Sequence, residues 1–145
     1  MRVLGLDLGT KRIGIACSDA LGWTAQVHST LIHSSEAEDL AAIAKICAET
    51  EAERIVVGLP LNMDGTRGER AHAAEEFGAR LEQELNLPVE YWDERLSTVS
   101  SERILIAADV SRKKRKAVVD RLAAAIILQS WLDRNQSNHG SDILR

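Results

Sequence analysis

The sequence predicts an α/β fold with a mixed five-stranded sheet, in which an antiparallel three-strand meander is followed by parallel strands, with helices on both faces. Two short apolar runs lie in residues 3–19, VLGLDLGTKRIGIACSD, and meet at Gly9-Thr10-Lys11. Later apolar runs, at Arg54–Gly58 and Val89–Trp92, alternate with segments of helical periodicity. Early sheet-forming runs and later strand–helix alternation together predict the mixed sheet.

The first three strands follow one another along the chain. Because side chains alternate along a strand, the leucines of LGLDL share one face and Asp7 lies on the other. A turn at Leu21-Gly22 leads into a third strand over Thr24–His33, which alternates loosely and is partly β-branched. These three strands form the meander.

Four helices are predicted around the sheet. Ser35 can cap the first of them, and acids near its start suit the positive end of the helix dipole. The predicted helices span Glu36–Glu51, Arg67–Leu85, Ser97–Ala108 and Ala117–Leu132. The chain is long enough for one domain over residues 1–145, with a frayed polar tail over about 134–145.

Composition and charge exclude several classes of protein. The start of the chain lacks the regions of a signal peptide, and no apolar run reaches the eighteen or so residues of a membrane span. We therefore expect a reduced, cytoplasmic protein with no membrane partner. Residues 1–100 hold nine Lys/Arg against seventeen Asp/Glu, whereas residues 101–145 hold nine against five. The positive charge is concentrated in one run, Arg112, Lys113, Lys114, Arg115 and Lys116.

Three carboxylates are candidates for a common site. Asp7 lies mid-strand between glycines on its own face, where a charge is unfavourable unless a cation or hydrogen-bond donors compensate and where the glycines leave room for a ligand. Glu94 follows the strand that ends at Trp92, and Asp120 lies in the first turn of the last helix, on its apolar side. Because parallel strands end at one edge of a sheet, these acids should converge.

Converging carboxylates repel one another unless they are protonated or bridged by cations. Oxygen ligands suit Mg²⁺ or Mn²⁺, whereas the four histidines show no zinc-ligand spacing. We therefore predict a site for two metal ions, about 4 Å apart and bridged by Asp7, that catalyses phosphodiester hydrolysis.

Each feature also has a simpler explanation. Asp7 can accept backbone N–H groups in the Gly-Thr turn, and Glu94 can pair with Arg95 or cap the next helix. Asp120 can simply favour a helix N-terminus, and the basic run can be a solvated patch. The joint arrangement is stronger evidence than any one member.

Four segments carry a resemblance to a known family: GLDLGTKRIGIACSD at 5–19, VVGLPLNMDGT at 56–66, DERLST at 93–98 and VDRLAAAIIL at 119–128. In this order they resemble the signature blocks of the YqgF family, small bacterial relatives of the RuvC-type Holliday-junction resolvases. The resemblance covers nearly the whole chain. It implies a ribonuclease-H-like fold and a nuclease that matures the 5′ end of precursor 16S ribosomal RNA.

The resemblance also implies roles for particular residues. Asp7, Glu94 and Asp120 match the acidic catalytic set. The basic residues that match the family motifs are Lys11, Arg12 and Arg95, and we expect all three to bind substrate. We expect Lys11, Arg12 and the run at 112–116 to hold phosphates that flank the cleavage site. The RuvC site resembles a four-acid set, so Asp93 is left open as a further ligand.

Other functions stay open on the sequence alone. Branched DNA presents the same phosphates as RNA, so a Holliday-junction resolvase is the first alternative. A non-catalytic RNA-binding or ribosome-associated factor is another, although three acids in one cleft disfavour an RNA surface. The motif DLGT also resembles the phosphate loop of actin-like ATPases and sugar kinases, which need two such domains. RNA is the favoured partner, with ribosomal particles and a homodimer as further candidates, since resolvases act as dimers.

Overall fold

The computed structural model describes residues 1–96 and 122–135. Its strands are β1 (Arg2–Leu8), β2 (Arg12–Ser18), β3 (Ala25–Ile32), β4 (Ala52–Leu59) and β5 (Val89–Asp93). Its helices are α1 (Glu36–Thr50), α2 (Glu69–Leu85) and α3 (residues 122–135), and a short 3₁₀ turn, Glu94–Leu96, follows β5.

The five strands form one sheet in the order β3-β2-β1-β4-β5. The β1–β2 and β2–β3 pairs are antiparallel, whereas β1 pairs in parallel with β4 and β4 with β5. The predicted mixed sheet, with a meander followed by parallel strands, is confirmed. Strand β1 is central, so its carboxyl end lies between the turn into β2 and the end of β4.

Helices cover both faces of the sheet, as predicted. On one face the leucines of β1, Leu4 and Leu6, are fully buried in a cluster with Ile43 of α1 and Leu81 of α2. On the other face Val3 and Val56 are buried in a cluster with residues of α3, namely Ala124, Ile127, Leu128, Trp131 and Leu132. Alternation along β1 therefore assigns Leu4 and Leu6 to the first core and leaves Asp7 on the side of α3.

Several element ends differ from the sequence prediction. Helix α2 begins at Glu69 rather than at Arg67, because Gly68 has extended backbone angles and caps it. Strand β4 runs from Ala52 to Leu59, longer at both ends than predicted. Helix α3 continues through residue 135, so the expected tail is helical at 134–135.

Three stretches of the predicted elements lie outside the described residues. They are the helix over Ser97–Ala108, residues 117–121 of the last predicted helix and the remainder of the tail, 136–145. In the part of the chain that the structure describes, no helix has the length and apolar character of a membrane span.

Candidate active site

Asp7 and Glu94 lie at the carboxyl edge of the sheet but not on neighbouring strands. Asp7 is half-buried near the end of β1, opposite Gly14 of β2. Glu94 opens the 3₁₀ turn directly after β5 and is also half-buried. Strand β4 lies between β1 and β5. Any contact between the two carboxyl groups must therefore cross β4.

Gly58 of β4 is where this crossing occurs. A Cβ atom at position 58 would lie 2.8 Å from Oε1 of Glu94 and 2.6 Å from Cδ1 of Ile127. The Glu94 carboxyl thus occupies the space that a side chain on β4 would fill, and from there it is hydrogen-bonded to Asp7. The glycine at 58 is required sterically for the two acids to meet.

The electrostatics of the pair follow from this placement. Burial raises the pKa of Glu94 to about 8, and the hydrogen bond and negative charge of Asp7 contribute to the rise. The positive charge of Arg70 acts in the opposite direction and lowers the Glu94 pKa. Near neutral pH Glu94 therefore carries a proton. This proton removes the repulsion between the Glu94 and Asp7 carboxylates, which a bound divalent cation would relieve in its place.

The glycines beside Asp7 do not leave the open space that the sequence suggested. A Cβ atom on Gly5 would lie 2.8 Å from Cβ of Leu128, so α3 fills that position. A Cβ atom on Gly9 would lie 2.8 Å from the Arg12 carbonyl oxygen, which accepts a hydrogen bond from the Gly9 N–H. These glycines serve helix packing and a tight turn instead.

The third predicted acid, Asp120, lies outside the described residues, as does the basic run Arg112, Lys113, Lys114, Arg115 and Lys116. Over residues 1–96 and 122–135, no three His, Cys, Asp or Glu side chains are grouped closely enough to hold a metal ion. The structure therefore brings together two members of the predicted set, Asp7 and Glu94. The place of Asp120 in that set stays a prediction.

Arg95 has a clear structural partner. Its Nε and Nη2 donate to the two carboxylate oxygens of Asp93, at 3.0 and 2.7 Å, and its Nη1 donates to the Met63 carbonyl oxygen at 3.2 Å. The hydrogen bonds from Arg95 hold the pKa of Asp93 below its usual value. Arg95 thus links the loop after β4 to the end of β5. Asp93, which the sequence analysis left open as a metal ligand, forms an ion pair with Arg95.

The other predicted basic residues flank the turn after β1. Lys11 is exposed in the turn, and Arg12 begins β2 and is half-buried. Both follow Asp7 within five positions, so they lie at the same edge of the sheet as the acidic pair. Binding of phosphate by Lys11 and Arg12 stays a prediction.

His33 joins this turn to α1, a link that the sequence analysis did not identify. Its Nδ1 is 2.8 Å from Oδ2 of Asp39, and its Nε2 is 2.9 Å from the Gly9 carbonyl oxygen. Both partners are acceptors, so a doubly protonated imidazolium satisfies both. Burial lowers the pKa of His33, but the hydrogen bonds to Asp39 and Gly9 and the Asp39 charge outweigh it, and the net pKa is raised.

Arg70 is a second residue that the sequence analysis missed. It lies in the first turn of α2 and is exposed, and its Nη2 donates to the Leu8 carbonyl oxygen at 3.3 Å. The signal that could have found it is its position in the first turn of the helix that follows β4, because such helix starts lie at the carboxyl edge of the sheet.

Comparison with known proteins decides the family. A sequence model of the RuvX family, described as "Holliday junction resolvase", matches residues 1–134. The chain belongs to the RuvX family. This membership confirms the resemblance to the YqgF family that the sequence motifs indicated.

Relatives of this chain match it over nearly their whole length. A protein of Geobacillus kaustophilus is 57% identical over 135 residues, covering 92% of this chain and 98% of the relative. One of Syntrophomonas wolfei is 53% identical over 133 residues, covering 92% and 94%. Both carry the name "Putative pre-16S rRNA nuclease".

Solved structures of similar fold include resolvases. The Thermus thermophilus RuvC structure, in complex with a Holliday junction substrate, aligns with a TM-score of 0.63 at 14% identity and covers 94% of this chain and 96% of that one. The fowlpox virus Holliday junction resolvase aligns with a TM-score of 0.55 at 12% identity, covering 92% and 99%. The RuvX chain therefore has a RuvC-like fold, and the predicted ribonuclease-H-like fold is confirmed.

Proposed function

We propose that this RuvX protein is a metal-dependent nuclease that hydrolyses phosphodiester bonds with Asp7, Glu94 and Asp120 as its acidic set. The single observation that carries the proposal is the hydrogen-bonded pair of Asp7 and Glu94, which meet across β4 over Gly58. Two partly buried carboxyl groups in contact have little structural value, because a well-packed apolar pair would serve the fold at least as well. Their chemistry suits a bound cation.

The residues present fit a hard divalent cation. The acidic set offers only carboxylate oxygens, the donor type that Mg²⁺ and Mn²⁺ prefer. Such carboxylates would hold a cation whose Lewis acidity would serve to activate a water molecule and to stabilise the departing oxygen of a phosphodiester. Asp7 and Glu94 would hold the cation, and Asp120 would complete the set.

The remaining residues bind and orient the substrate. Lys11 and Arg12 would bind phosphates beside the acidic pair, and the basic run at 112–116 would bind phosphates further along the strand. Arg95, through Asp93 and the Met63 carbonyl, holds the loop after β4 next to the 3₁₀ turn that carries Glu94. The acidic set and the proposed phosphate contacts together favour an extended polynucleotide over a small phosphate ester.

We propose the 5′ end of precursor 16S ribosomal RNA as the substrate, processed in the cytoplasm on ribosomal particles. Support comes from the names of close relatives, which are more than half identical to this chain over nearly its full length. The alternative is cleavage of a Holliday junction, which the description of the RuvX family and the RuvC-like fold favour.

The test is a cleavage assay on three substrates: an RNA that spans the 5′ end of 16S rRNA, an unstructured RNA and a four-way DNA junction. Each is incubated with Mg²⁺, with Mn²⁺ or with EDTA. We expect cleavage of the first RNA that requires a divalent ion and leaves 5′-phosphate and 3′-hydroxyl ends. Preferred cleavage of the junction would instead support the resolvase alternative.

The matched variants are Asp7→Asn and Asp133→Asn. Asp7→Asn removes the charge of a proposed ligand and keeps its shape, so cleavage should fall by more than about a hundredfold with the fold intact. Asp133 is exposed on α3, and its variant should cleave normally. Cleavage that survives in Asp7→Asn refutes the site, and tight RNA binding without cleavage by the unaltered protein indicates a non-catalytic factor.

A further inference from the structure

A cavity of about 250 Å³ lies beside the turn after β1, on the face of the sheet that α1 and α2 cover. Leu8 and Gly9 form its sheet side, Ala73 and Phe77 of α2 form the opposite side, and His33 and Arg70 border it. Its wall is mostly apolar. It is smaller than the roughly 300–1,000 Å³ of pockets that enclose drug-sized ligands, so it suits one planar ring system.

The position of the cavity ties it to the acidic pair. Leu8 immediately follows Asp7, and the Leu8 carbonyl oxygen accepts a hydrogen bond from Arg70. Arg70 also borders the cavity, and Leu8 lies on the α1/α2 face of β1 whereas Asp7 lies on the α3 face. A polynucleotide strand that reaches both would therefore run around the carboxyl edge of the sheet, past the guanidinium that contacts Leu8.

We propose that this cavity binds one nucleobase of the substrate strand, close to the cleaved phosphate, with Arg70 contacting the phosphate of that nucleotide. The inference rests on the proposed nuclease function and adds a base-binding subsite to it. A half-buried phenylalanine supplies the stacking face that single-strand-binding proteins use for bases. A guanidinium carries five donors, so the contact with Leu8 leaves donors for phosphate.

The charges around the cavity favour a nucleotide over an apolar partner. An exposed arginine and a histidine that bridges two acceptors border an apolar slot, and Lys11 is exposed in the same turn. An apolar protein segment would gain nothing from the positive charges of Arg70 and Lys11. A base attached to a phosphate uses both the slot and the positive rim.

The experiment pairs protein variants with abasic substrates. A cleaved oligonucleotide is synthesised as a series in which a single abasic site steps through the three positions on each side of the cleavage site. In the unaltered protein one position should lower kcat/KM by about 5- to 100-fold, as expected for loss of one stacked base. Ala73→Leu narrows the cavity from an exposed helix position and should impose a similar loss on the intact substrate but none on that abasic substrate.

The controls separate this subsite from folding and from phosphate contacts. Ala79→Leu makes the same change at an exposed position of α2 away from the cavity and should behave as the unaltered protein. Phe77→Leu, which keeps an apolar side chain, should reproduce the effect of Ala73→Leu. Arg70→Gln should weaken cleavage of intact and abasic substrates equally, because a phosphate contact does not depend on the base.

The experiment distinguishes failure of the base-binding subsite from failure of the proposed nuclease function. If the protein cleaves but the abasic series is flat, or if Ala73→Leu lowers kcat/KM equally for all substrates, the subsite is refuted and the nuclease stands. Fluorescence anisotropy with the same oligonucleotides needs no cleavage. If no nucleic acid is cleaved, the proposed nuclease function is refuted. The subsite is then tested by binding alone: it is supported if Ala73→Leu weakens binding of the intact oligonucleotide but not of one abasic oligonucleotide, and refuted if it weakens both equally.

Discussion

Glu94 is hydrogen-bonded to Asp7 although a whole strand, β4, lies between β1, which carries Asp7, and β5, which Glu94 directly follows. The contact depends on Gly58, because the Glu94 carboxyl occupies the volume of the missing side chain. The same position faces Ile127 of α3, so the helix and the acidic pair share one small space. Three elements distant in sequence therefore set the geometry of one carboxyl group.

Gly58→Ala should disable the site. The new methyl group would lie within 3.0 Å of Oε1 and Cγ of Glu94 and of Cδ1 of Ile127, so Glu94 must move away from Asp7. A displacement of about 1 Å in a catalytic group costs on the order of a hundredfold in rate. Overpacking against Ile127 should also lower the free energy of unfolding by about 1–3 kcal/mol. Cleavage kinetics and urea denaturation measure the two effects.

The control for that variant is Gly68→Ala. Gly68 also has negative φ, and the nearest atom to its Cβ would be a side-chain oxygen of Asn62 at 3.3 Å, in an exposed loop. We expect near-normal cleavage and a loss of stability of no more than about 1 kcal/mol, because Gly68 caps α2 and alanine is a poorer N-cap than glycine. Normal cleavage by Gly58→Ala would show that the Asp7–Glu94 contact is not needed for activity.

Binding of Mg²⁺ should release a proton. With a Glu94 pKa of about 8, the metal-free carboxyl is largely protonated at pH 7 and must ionise to bind the cation. We expect about one proton released per site at pH 7 and a release that falls toward zero above pH 9. Calorimetric titrations in two buffers of different ionisation enthalpy measure it. Binding without proton release at pH 7 would contradict the protonated state of Glu94.

The same pKa shift has a consequence for the metal-free protein. A carboxyl whose pKa is raised on folding stabilises the fold while it is protonated, and this contribution is lost as pH rises through the folded pKa of about 8. Because the ordinary pKa of this carboxyl is 4.5, the contribution is fully present below that pH, and metal-free stability should decline from about pH 4.5 to 8 and level off above it. Glu94→Gln should remove that part of the decline. Added Mg²⁺ should raise Tm more at pH 9 than at pH 7.

His33→Gln should remove a second pH-dependent contribution to stability. The pKa of His33 is raised, so its contribution is fully present below the unfolded value of about 6.5 and is lost as pH rises through the folded value. The side chain is one-third exposed, so we expect a modest loss, about 1 kcal/mol at pH 6. Urea denaturation at pH 6 and pH 8.5 should show the difference from the unaltered protein shrinking at the higher pH.

His28→Gln is the matched control. His28 lies on the exposed edge strand β3, and its Nδ1 contacts only the neighbouring Ser29 hydroxyl among the hydrogen bonds of the described residues. Its replacement should change stability little at either pH. An equal loss of stability in His28→Gln and His33→Gln would argue against a special role for the hydrogen bonds by which His33 joins Asp39 to Gly9.

Replacing residues 112–116 by alanine should weaken the salt dependence of RNA binding. If all five side chains contact phosphates of a single strand, they account for a slope of about −3.5 in log affinity against log salt. The variant should lose that part of the slope, as measured by anisotropy at several KCl concentrations. An unchanged slope would remove this run from the binding surface.

Much of this arrangement was predictable because it rests on local patterns. Alternation in LGLDL assigns Asp7 to the face opposite the leucines, and the rule that parallel strands end at one edge brings Glu94 to the same region. The family motifs identified the same two acids. The boundaries were less predictable, since Gly68 rather than a helix-forming pattern decides where α2 begins.

The contacts that give the site its character were not predictable in the same way. The glycines of β1 suggested open space, yet Leu128 fills the position beside Gly5. The Arg95 guanidinium donates hydrogen bonds to Asp93 and to the Met63 carbonyl oxygen, and binding of substrate by Arg95 stays a prediction. The contacts at Leu128 and at Met63 join parts of the chain that are far apart in sequence, whereas the Arg95–Asp93 pair is local.

The amino-acid pattern alone was sufficient for the strand succession, the two-faced sheet and the acids at its carboxyl edge, because each follows from hydrophobic period and chain order. The pattern did not indicate that the Glu94 carboxyl reaches Asp7 across β4. Nor did it indicate which atoms fill the space beside each glycine, or that Arg70 and Phe77 line one cavity. Those features arise when side chains far apart in sequence compete for the same volume, and only packing in three dimensions resolves that competition.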